Sequence, residues 1–251
     1  MRIRKHIPNL LTCVNLVFGC YACVLALDGN YFGAMIAIVI AVVFDFADGF
    51  AARLLNAFSP IGKDLDSLAD IVSFGVAPGL LLFDFIDRTQ QTIDRNNPVA
   101  GQLFLLSAFV IPVFSALRLA IFNNDNRQTS SFIGLPVPAH ALFWTSLIYV
   151  LFCSVEGNAI SGLMPQISFR LPCISPLCML LFVTFLAIGS SLLLVSKIPM
   201  FSMKIKSPAW KGNEARYILI CAATVFIACF GFFGITLTIV SYILMSMAQK
   251  R

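Results

Sequence analysis

Long apolar stretches follow one another along most of the chain, and they constrain the fold more than any other feature. They lie near residues 8–27, 31–56, 66–86, 99–122, 135–153, 172–196 and 216–248. A helix needs about 20 apolar residues to cross the hydrocarbon of a bilayer. Charged residues make up only 12% of the chain and the mean hydropathy is +0.90, which is too apolar for a water-covered surface. The sequence therefore predicts an all-α bundle of transmembrane helices.

The last apolar stretch is too long for one ordinary crossing. As a single straight helix, residues 216–248 would extend roughly 50 Å. The stretch is interrupted by Gly231-Phe232-Phe233-Gly234, and glycine favours a turn. We therefore expect two short spans here and about eight spans in total. Residues 1–251 are expected to form one membrane-embedded domain, with residues 216–251 as an additional C-terminal hairpin.

The basic residues are distributed unequally between the two ends of the predicted spans. Of the 17 Lys and Arg, only Arg88, Arg95 and Arg170 fall on one side, and the remaining 14 fall on the other. Because cytoplasmic loops carry an excess of Lys and Arg, both termini and the connection at 57–65 are predicted to be cytoplasmic. The net charge of +5 then reflects topology and attraction to anionic lipid. Nothing indicates a nucleic-acid partner.

Acidic residues are concentrated where two of the predicted spans meet. Five of the 12 lie between positions 45 and 70. Asp45 and Asp48 are three residues apart at the end of an apolar run, and Asp66 and Asp70 are four apart at the start of the next, so each pair shares a helix face. A short connection should return the second helix antiparallel to the first. Four carboxylates would then converge near the cytoplasmic ends of helices two and three, at a depth where ionisable groups are costly.

This predicted cluster needs positive charge that the neighbouring sequence does not supply. The nearby Arg53 and Lys63 cannot balance four carboxylates, whereas hard divalent cations prefer oxygen ligands. Two such ions a few Å apart suit displacement at phosphorus. Gly49 leaves space for a phosphate group beside the helix backbone, and Arg53 could bind phosphate oxygens in a bidentate manner. The residues therefore predict a metal site that acts on a phosphate compound.

The spacing of these residues resembles a known family signature. That pattern is Asp45-x-x-Asp48-Gly49-x-x-Ala52-Arg53, then eight residues, then Gly62-x-x-x-Asp66-x-x-x-Asp70. It is similar to the complete signature of the CDP-alcohol phosphotransferases. The resemblance implies a core of six helices, usually dimeric, whose four aspartates hold two divalent ions, Mg²⁺ or Mn²⁺. It also implies that the fourth aspartate, Asp70, is the general base.

The same resemblance implies a set of contacts to the CDP end of the donor. Within the signature these would come from Gly49, Arg53, Ser59 and Gly62. In addition, Pro8-Asn9-Leu10-Leu11-Thr12 is similar to the Pro-Asn-x-x-Thr segment that begins the first helix in the family. Asn9 and Thr12 are therefore expected near the nucleotide as well.

Three further segments resemble the phosphatidylserine synthase branch of this family. They are Arg118-Leu119-Ala120 with Phe122-Asn123, Gly134-Leu135-Pro136-Val137-Pro138-Ala139, and the segment from Ile198 to Lys204. The branch implies CDP-diacylglycerol as donor, L-serine as acceptor, and phosphatidylserine and CMP as products. Ile121 stands where the branch usually has a second arginine. Arg118 is then the candidate for binding the serine carboxylate, and the alternative is that it only anchors its helix at the membrane interface.

Other functions stay open on the sequence alone. Glycerol 3-phosphate or an inositol phosphate as acceptor would require a second group of cations, which could come from Lys197, Lys204, Lys206 and Lys211. A membrane ion transporter with an acidic metal site would favour charges at mid-membrane and broken helices in symmetric repeats, and neither is visible. A structural metal-binding subunit would not require the glycines and the arginine at these intervals.

Overall fold

The structure, a computed structural model, describes residues 6–57, 59–92, 98–124, 132–156, 175–201 and 213–248. Its helices are α1 (Ile7–Leu27), α2 (Tyr31–Leu54), α3 (Pro60–Asp70), α4 (Ala77–Gln91), α5 (Pro98–Ser107), α6 (Val110–Asn124), α7 (Val137–Glu156), α8 (Pro176–Val195), α9 (Glu214–Phe230) and α10 (Phe233–Ala248). A π-helix, Ile71–Val76, joins α3 to α4. Two short strands, β1 (Phe132–Ile133) and β2 (Pro199–Met200), pair antiparallel.

Six helical segments of the described chain are long and apolar enough to cross a membrane. They are Ile7–Leu27, Tyr31–Leu54, Pro60–Gln91, Gly101–Asn124, Val137–Val155 and Pro176–Val195. The predicted fold class, a transmembrane helical bundle with a six-helix core, is therefore confirmed. The predicted division of the last apolar stretch is also present, because α9 ends at Phe230 and α10 begins at Phe233. These two helices have 17 and 16 residues, so their crossing of the membrane stays a prediction.

The third span begins earlier than the sequence predicted. We expected its helix to start near residue 66, after a connection at 57–65, and this was wrong. Ser59 caps α3 by accepting a hydrogen bond from the Gly62 amide at 3.0 Å, and Pro60 occupies the first helical position. Both residues are favoured at those positions of a helix N-terminus. As a result Gly62 lies in the first turn of α3, and Asp66 and Asp70 lie in its middle and at its end.

The predicted helix at 99–122 is divided in two by a proline. Pro112 has no amide hydrogen, and its ring would collide with the carbonyl group four residues earlier, that of Ala108. Accordingly α5 ends at Ser107, the chain turns at Ala108 and Phe109, and α6 begins at Val110. The two helices still amount to one apolar crossing.

Small side chains allow the helices around the site to pack closely. Helix α1 packs along α2, and Ala22, Ala26 and Ala34 are completely buried. Gly19 on α1 faces the π-helix so closely that a Cβ there would lie 2.8 Å from the Ser73 Cα. Large apolar side chains such as Phe46 and Phe185 are instead exposed on the outside, where lipid would cover them.

Two segments far apart in the sequence meet at the start of α7. Strand β1 pairs Phe132 with Met200 and Ile133 with Pro199 of β2. The Gly134 amide then donates to the Ile198 carbonyl oxygen at 2.9 Å, and the Leu135 amide to that of Leu193 at 3.1 Å. The second branch-like segment and the described part of the third, residues 198–201, therefore form one structural unit.

Gly134 is the residue of this unit that least tolerates a side chain. Its φ is +79°, and a Cβ there would collide with the Leu194 carbonyl oxygen. Gly134→Ala should therefore lower the stability of the protein in detergent, since the left-handed backbone alone costs an L-residue about 1–2 kcal/mol. The measurement is the thermal unfolding midpoint.

Gly189→Ala is the matched control for this substitution. Gly189 lies on an exposed face of α8, and a Cβ there would meet no atom within 4 Å, so alanine should leave the midpoint unchanged or raise it slightly. Equal midpoints for the two variants would show that Gly134 is not conformationally required.

Candidate active site

The aspartates predicted from the sequence meet between α2 and α3. Carboxylate oxygens of Asp45, Asp48 and Asp66 lie within 4.8 Å of one another. Asp70, one helical turn after Asp66, interacts electrostatically with all three. The helical spacing within each pair and the antiparallel return of α3 therefore bring the four carboxyl groups to one place.

Two of these carboxylates are buried in the bundle, two are partly buried, and none of the four receives a counter-charge from the described residues. Asp48 is 6% exposed and Asp70 is 7% exposed. Within the described residues none of the four forms an ion pair, and Asp66 Oδ1 has no hydrogen-bond partner. Enclosed anions require counter-charge. Since the set consists only of carboxylate oxygens, its chemistry fits a hard divalent cation.

Another acidic residue, outside this cluster, has its negative charge balanced by the protein itself. Asp84 on α4 accepts a hydrogen bond from the Tyr31 hydroxyl at 2.6 Å and forms an ion pair with Arg88 at 2.7 Å. That carboxylate is structurally satisfied and joins the start of α2 to α4. The contrast with the cluster of four indicates that the cluster is built for an external ligand.

The first helix contributes directly to the site. Thr12 on α1 is 3% exposed, and its hydroxyl lies 2.6 Å from Asp48 Oδ2 and 3.1 Å from the Pro8 carbonyl oxygen. A carboxylate is the stronger acceptor, so the hydroxyl orients Asp48. Thr12, which the sequence placed near the nucleotide, thus contacts a member of the aspartate cluster.

The remaining predicted donor contacts gather at the neighbouring helix ends. A Cβ on Gly62 would lie 2.9 Å from Asn9 Oδ1 and 3.0 Å from Ser59 Oγ, so the start of α1 abuts the first turn of α3. A Cβ on Gly49 would lie 3.7 Å from a terminal guanidinium nitrogen of Arg53, which is exposed. The face of α2 between Gly49 and Arg53 is therefore open to a ligand.

Sequence reasoning missed Asn15, which contacts the predicted base. Asn15 lies on α1, is completely buried, and donates from Nδ2 to Asp70 Oδ1 at 3.3 Å. The Ser73 hydroxyl donates to the Asn15 carbonyl oxygen at 3.2 Å. An asparagine three residues after Thr12 in an apolar span was a usable signal, because polar residues inside membrane helices usually face the interior of the bundle. The π-helix that holds Ser73 could not be predicted, although such distortions are frequent at functional sites.

Arg118 lies inside the bundle and is not an anchor at its surface. It is 5% exposed, its guanidinium stacks 5.2 Å above the Phe122 ring, and its Nε has no hydrogen-bond partner among the described residues. It interacts electrostatically with Tyr242 of α10, whose hydroxyl donates to the Phe201 carbonyl oxygen at 3.0 Å. The C-terminal hairpin and the end of β2 thus help to enclose Arg118.

The end of α6 is also tied to the helix that carries Asp66 and Asp70. Asn123 donates to the Ser67 hydroxyl at 2.8 Å, and Lys63 donates to the Asn123 carbonyl oxygen at 2.9 Å. Two residues of α3 therefore hold the last turn of α6 in place. Of the lysines considered for a second cation group, Lys197 is exposed, and Lys204, Lys206 and Lys211 lie outside the described residues.

Comparison with known proteins agrees with this geometry. The sequence profile named CDP-alcohol phosphatidyltransferase matches residues 5–169. The CDP-diacylglycerol–serine O-phosphatidyltransferase of Bacillus subtilis is 37% identical over 134 residues, which cover 53% of this chain and 70% of that protein. The Mycobacterium tuberculosis protein of the same name is 32% identical over 231 residues, covering 88% and 71%. The Methanocaldococcus jannaschii protein of that name is 36% identical over 158 residues, covering 62% and 65%.

Removing one carboxylate from the cluster should weaken divalent metal binding. Asp45→Asn keeps the side-chain shape but removes one negative charge, and we expect the affinity for Mn²⁺ to fall about tenfold or more. The measurement is titration of the purified protein with Mn²⁺, followed by electron paramagnetic resonance of the free ion. Asp64→Asn is the control, because Asp64 is exposed and lies outside the cluster. Equal affinities for both variants and the unmodified protein would contradict a metal site at Asp45.

Proposed function

Because this chain belongs to the CDP-alcohol phosphatidyltransferase family, we propose that it transfers the phosphatidyl group of CDP-diacylglycerol to L-serine and releases phosphatidylserine and CMP. The observation that carries the proposal is the enclosed group of carboxylates between α2 and α3. The names of the relatives supply the donor and the acceptor. The enzyme is an integral membrane protein, and the diacylglycerol tails of the donor would enter the site from the bilayer.

The aspartates have two roles in this proposal. Asp45, Asp48, Asp66 and Asp70 would hold two divalent ions, Mg²⁺ or Mn²⁺. When bound, such ions neutralise the pyrophosphate of the donor and the charge that develops on the departing CMP. Asp70 has the additional role of general base. The bond that forms joins the serine hydroxyl oxygen to the phosphorus bearing diacylglycerol, and the bond that breaks is the one from that phosphorus to the oxygen leaving with CMP.

The proton of the serine hydroxyl passes to Asp70. A hydroxyl group is a weak nucleophile, so alignment and removal of its proton lower the barrier most. The family resemblance assigns this role to Asp70, and two observations are compatible with it. It lies at the end of α3, next to the π-helix, and it is held on one oxygen by Asn15. A base that is fixed from one side can present its other oxygen to the acceptor.

The donor nucleotide would lie where α1, α2 and α3 meet. Gly49 and Gly62 leave space at the helix surfaces, and Arg53 can reach phosphate oxygens. The residues proposed to contact the CDP group are Asn9, Thr12, Gly49, Arg53, Ser59 and Gly62. The closeness of Asn9 and Ser59 to Gly62, and the hydrogen bond of Thr12 to Asp48, support this arrangement.

The serine carboxylate would bind Arg118. An enclosed guanidinium with an unpartnered Nε is suited to a carboxylate, which it can bind with two hydrogen bonds. By the excess of Lys and Arg on one side, the site opens to the cytoplasm, where serine enters and CMP leaves. A homodimer is proposed from the family resemblance.

A panel of acceptor alcohols tests the proposed function. The purified protein would be given CDP-diacylglycerol, Mg²⁺ or Mn²⁺, and either L-serine, glycerol 3-phosphate or an inositol phosphate, and CMP release would be measured. Of the three acceptors, we expect only L-serine to cause CMP release. Release with a phosphorylated acceptor but not with serine would show that the acceptor is wrong while the chemistry stands. No release with any acceptor would contradict the transfer reaction itself.

The role of Asp70 can be separated from that of the other aspartates. Asp70→Asn retains the shape and one oxygen but cannot accept the hydroxyl proton, so turnover should fall by about 10²–10⁴-fold, the range attributed to a general base. Metal-dependent binding of CDP-diacylglycerol should persist, because three carboxylates remain. Asp45→Asn should instead mainly weaken the binding of CDP-diacylglycerol at a given metal concentration, because a carboxylate that holds the metal loses its charge. Turnover of Asp70→Asn near the unmodified rate would show that Asp70 is not the base.

A further inference from the structure

Four of the seven buried side-chain polar atoms that lack a partner among the described residues belong to helices that contact the π-helix following Asp70. They are Asn15 Oδ1 on α1, Asp66 Oδ1 on α3, and Ser115 Oγ and Arg118 Nε on α6. A buried polar atom usually has a hydrogen-bond partner, since leaving it without one costs about 1–3 kcal/mol. Several such atoms around one segment indicate a binding site.

Asn15 is the member of this set whose orientation is determined by its neighbours. Its side-chain Nδ2 donates to Asp70, and its backbone carbonyl oxygen accepts a hydrogen bond from the Ser73 hydroxyl. Gly19, one turn further along α1, has no side chain and so lets α1 lie close against Ser73. An ionised carboxylate only accepts hydrogen bonds, so the amide must direct its NH₂ group to Asp70. The atom left free is therefore an acceptor, Oδ1.

The free acceptor of Asn15 lies near the predicted base. The nitrogen and oxygen of an amide are about 2.2 Å apart, and so are the two oxygens of a carboxylate. Since Nδ2 contacts one Asp70 oxygen at 3.3 Å, Asn15 Oδ1 is within about 7.7 Å of the other Asp70 oxygen, which a hydrogen bond at each end of the acceptor can span. In a 2-amino alcohol the nitrogen and the hydroxyl oxygen are separated by about 3 Å when gauche. One acceptor molecule can therefore direct its hydroxyl to Asp70 and its ammonium group to Asn15.

The unpartnered polar atoms near the π-helix also suit the two charged groups of an amino acid, because they include an acceptor for its ammonium group and donors for its carboxylate. An ammonium group needs a hydrogen-bond acceptor, which Asn15 provides from α1. A carboxylate needs donors, and Ser115 and Arg118 provide them from one face of α6. Ser115 packs on the π-helix, since a Cβ on Gly75 would lie 3.2 Å from the Ser115 Cβ. A phosphorylated alcohol would bring more negative charge and could offer the Asn15 oxygen only a neutral hydroxyl as donor.

We propose that Asn15 determines acceptor specificity: its amide oxygen binds the ammonium group of an amino-alcohol acceptor while its amide nitrogen holds Asp70. This inference rests on the proposed function, with serine as the acceptor. It assigns to α1, in addition to the donor contacts of Asn9 and Thr12, a contact with the second substrate. The two sides of one amide group thereby couple recognition of the acceptor to the position of the base.

The test compares L-serine with 3-hydroxypropanoate, which has the same hydroxyl and carboxylate groups but no ammonium group. The quantity measured is the ratio of the two kcat/KM values for CMP release. The unmodified enzyme should prefer serine by about 10-fold to 100-fold, as expected for one hydrogen bond to a charged group. In Asn15→Leu, which has a similar volume and no polar atom, the ratio should fall to within a few-fold of one.

Ser73→Ala is the matched control, because it removes the hydroxyl that binds the Asn15 backbone but leaves the Asn15 side chain in place. Its ratio should remain that of the unmodified enzyme. If Asn15→Leu slows both acceptors equally and keeps the ratio, Asn15 only positions Asp70 and the proposal is wrong. Should Asn15→Leu not fold, equal use of the two acceptors by the unmodified enzyme would still overturn it. Failure of serine itself, with CMP release from a phosphorylated acceptor, would instead overturn the proposed function.

Discussion

The architecture of this protein depends on holding four carboxyl groups together inside a helical bundle that offers them no ion pair among the described residues. Asp45, Asp48 and Asp66 place oxygens within 4.8 Å of one another, and Asp70 is close enough to interact with each. In an apolar bundle such anions repel one another. A divalent cation held among them would supply the missing counter-charge. Asp84, paired with Arg88 and Tyr31, shows that the same bundle can satisfy a carboxylate internally elsewhere.

The frame around this cluster is made by close helix contacts at small residues rather than by many polar ties. Gly19 brings α1 against the π-helix, and Gly62 brings the start of α1 against α3. In a membrane, apolar contact with lipid is as good as contact with protein, so tight van der Waals packing is what selects the arrangement. The hydrogen bonds of Thr12 to Asp48 and of Asn15 to Asp70 are possible because α1 lies this close.

Segments remote in sequence come together around Arg118, the proposed contact of the acceptor. The pairing of β1 with β2 fixes the approach to α7, and Phe201, next to β2, accepts the hydroxyl hydrogen of Tyr242. Tyr242 in turn lies beside Arg118 on α6, while Asn123 and Lys63 connect α6 to the helix of Asp66 and Asp70. The proposed acceptor contact and the proposed base thus belong to one connected structure, and the C-terminal hairpin, which lies beyond the matched family region, is part of it.

The sequence by itself determined the helical membrane fold, the division of the last apolar stretch and the convergence of the aspartates. These follow from local properties, namely the length of apolar runs and the three- and four-residue spacing that places side chains on one helix face. Helix α3 begins earlier than predicted, because Ser59 caps it and Pro60 occupies its first position. The helix predicted at 99–122 is broken before Pro112. Only the tertiary structure decided that Asn15 meets Asp70 and that Tyr242 meets Arg118. Such contacts depend on which faces of separate helices approach one another, and in a bundle that choice is made by packing over the whole chain.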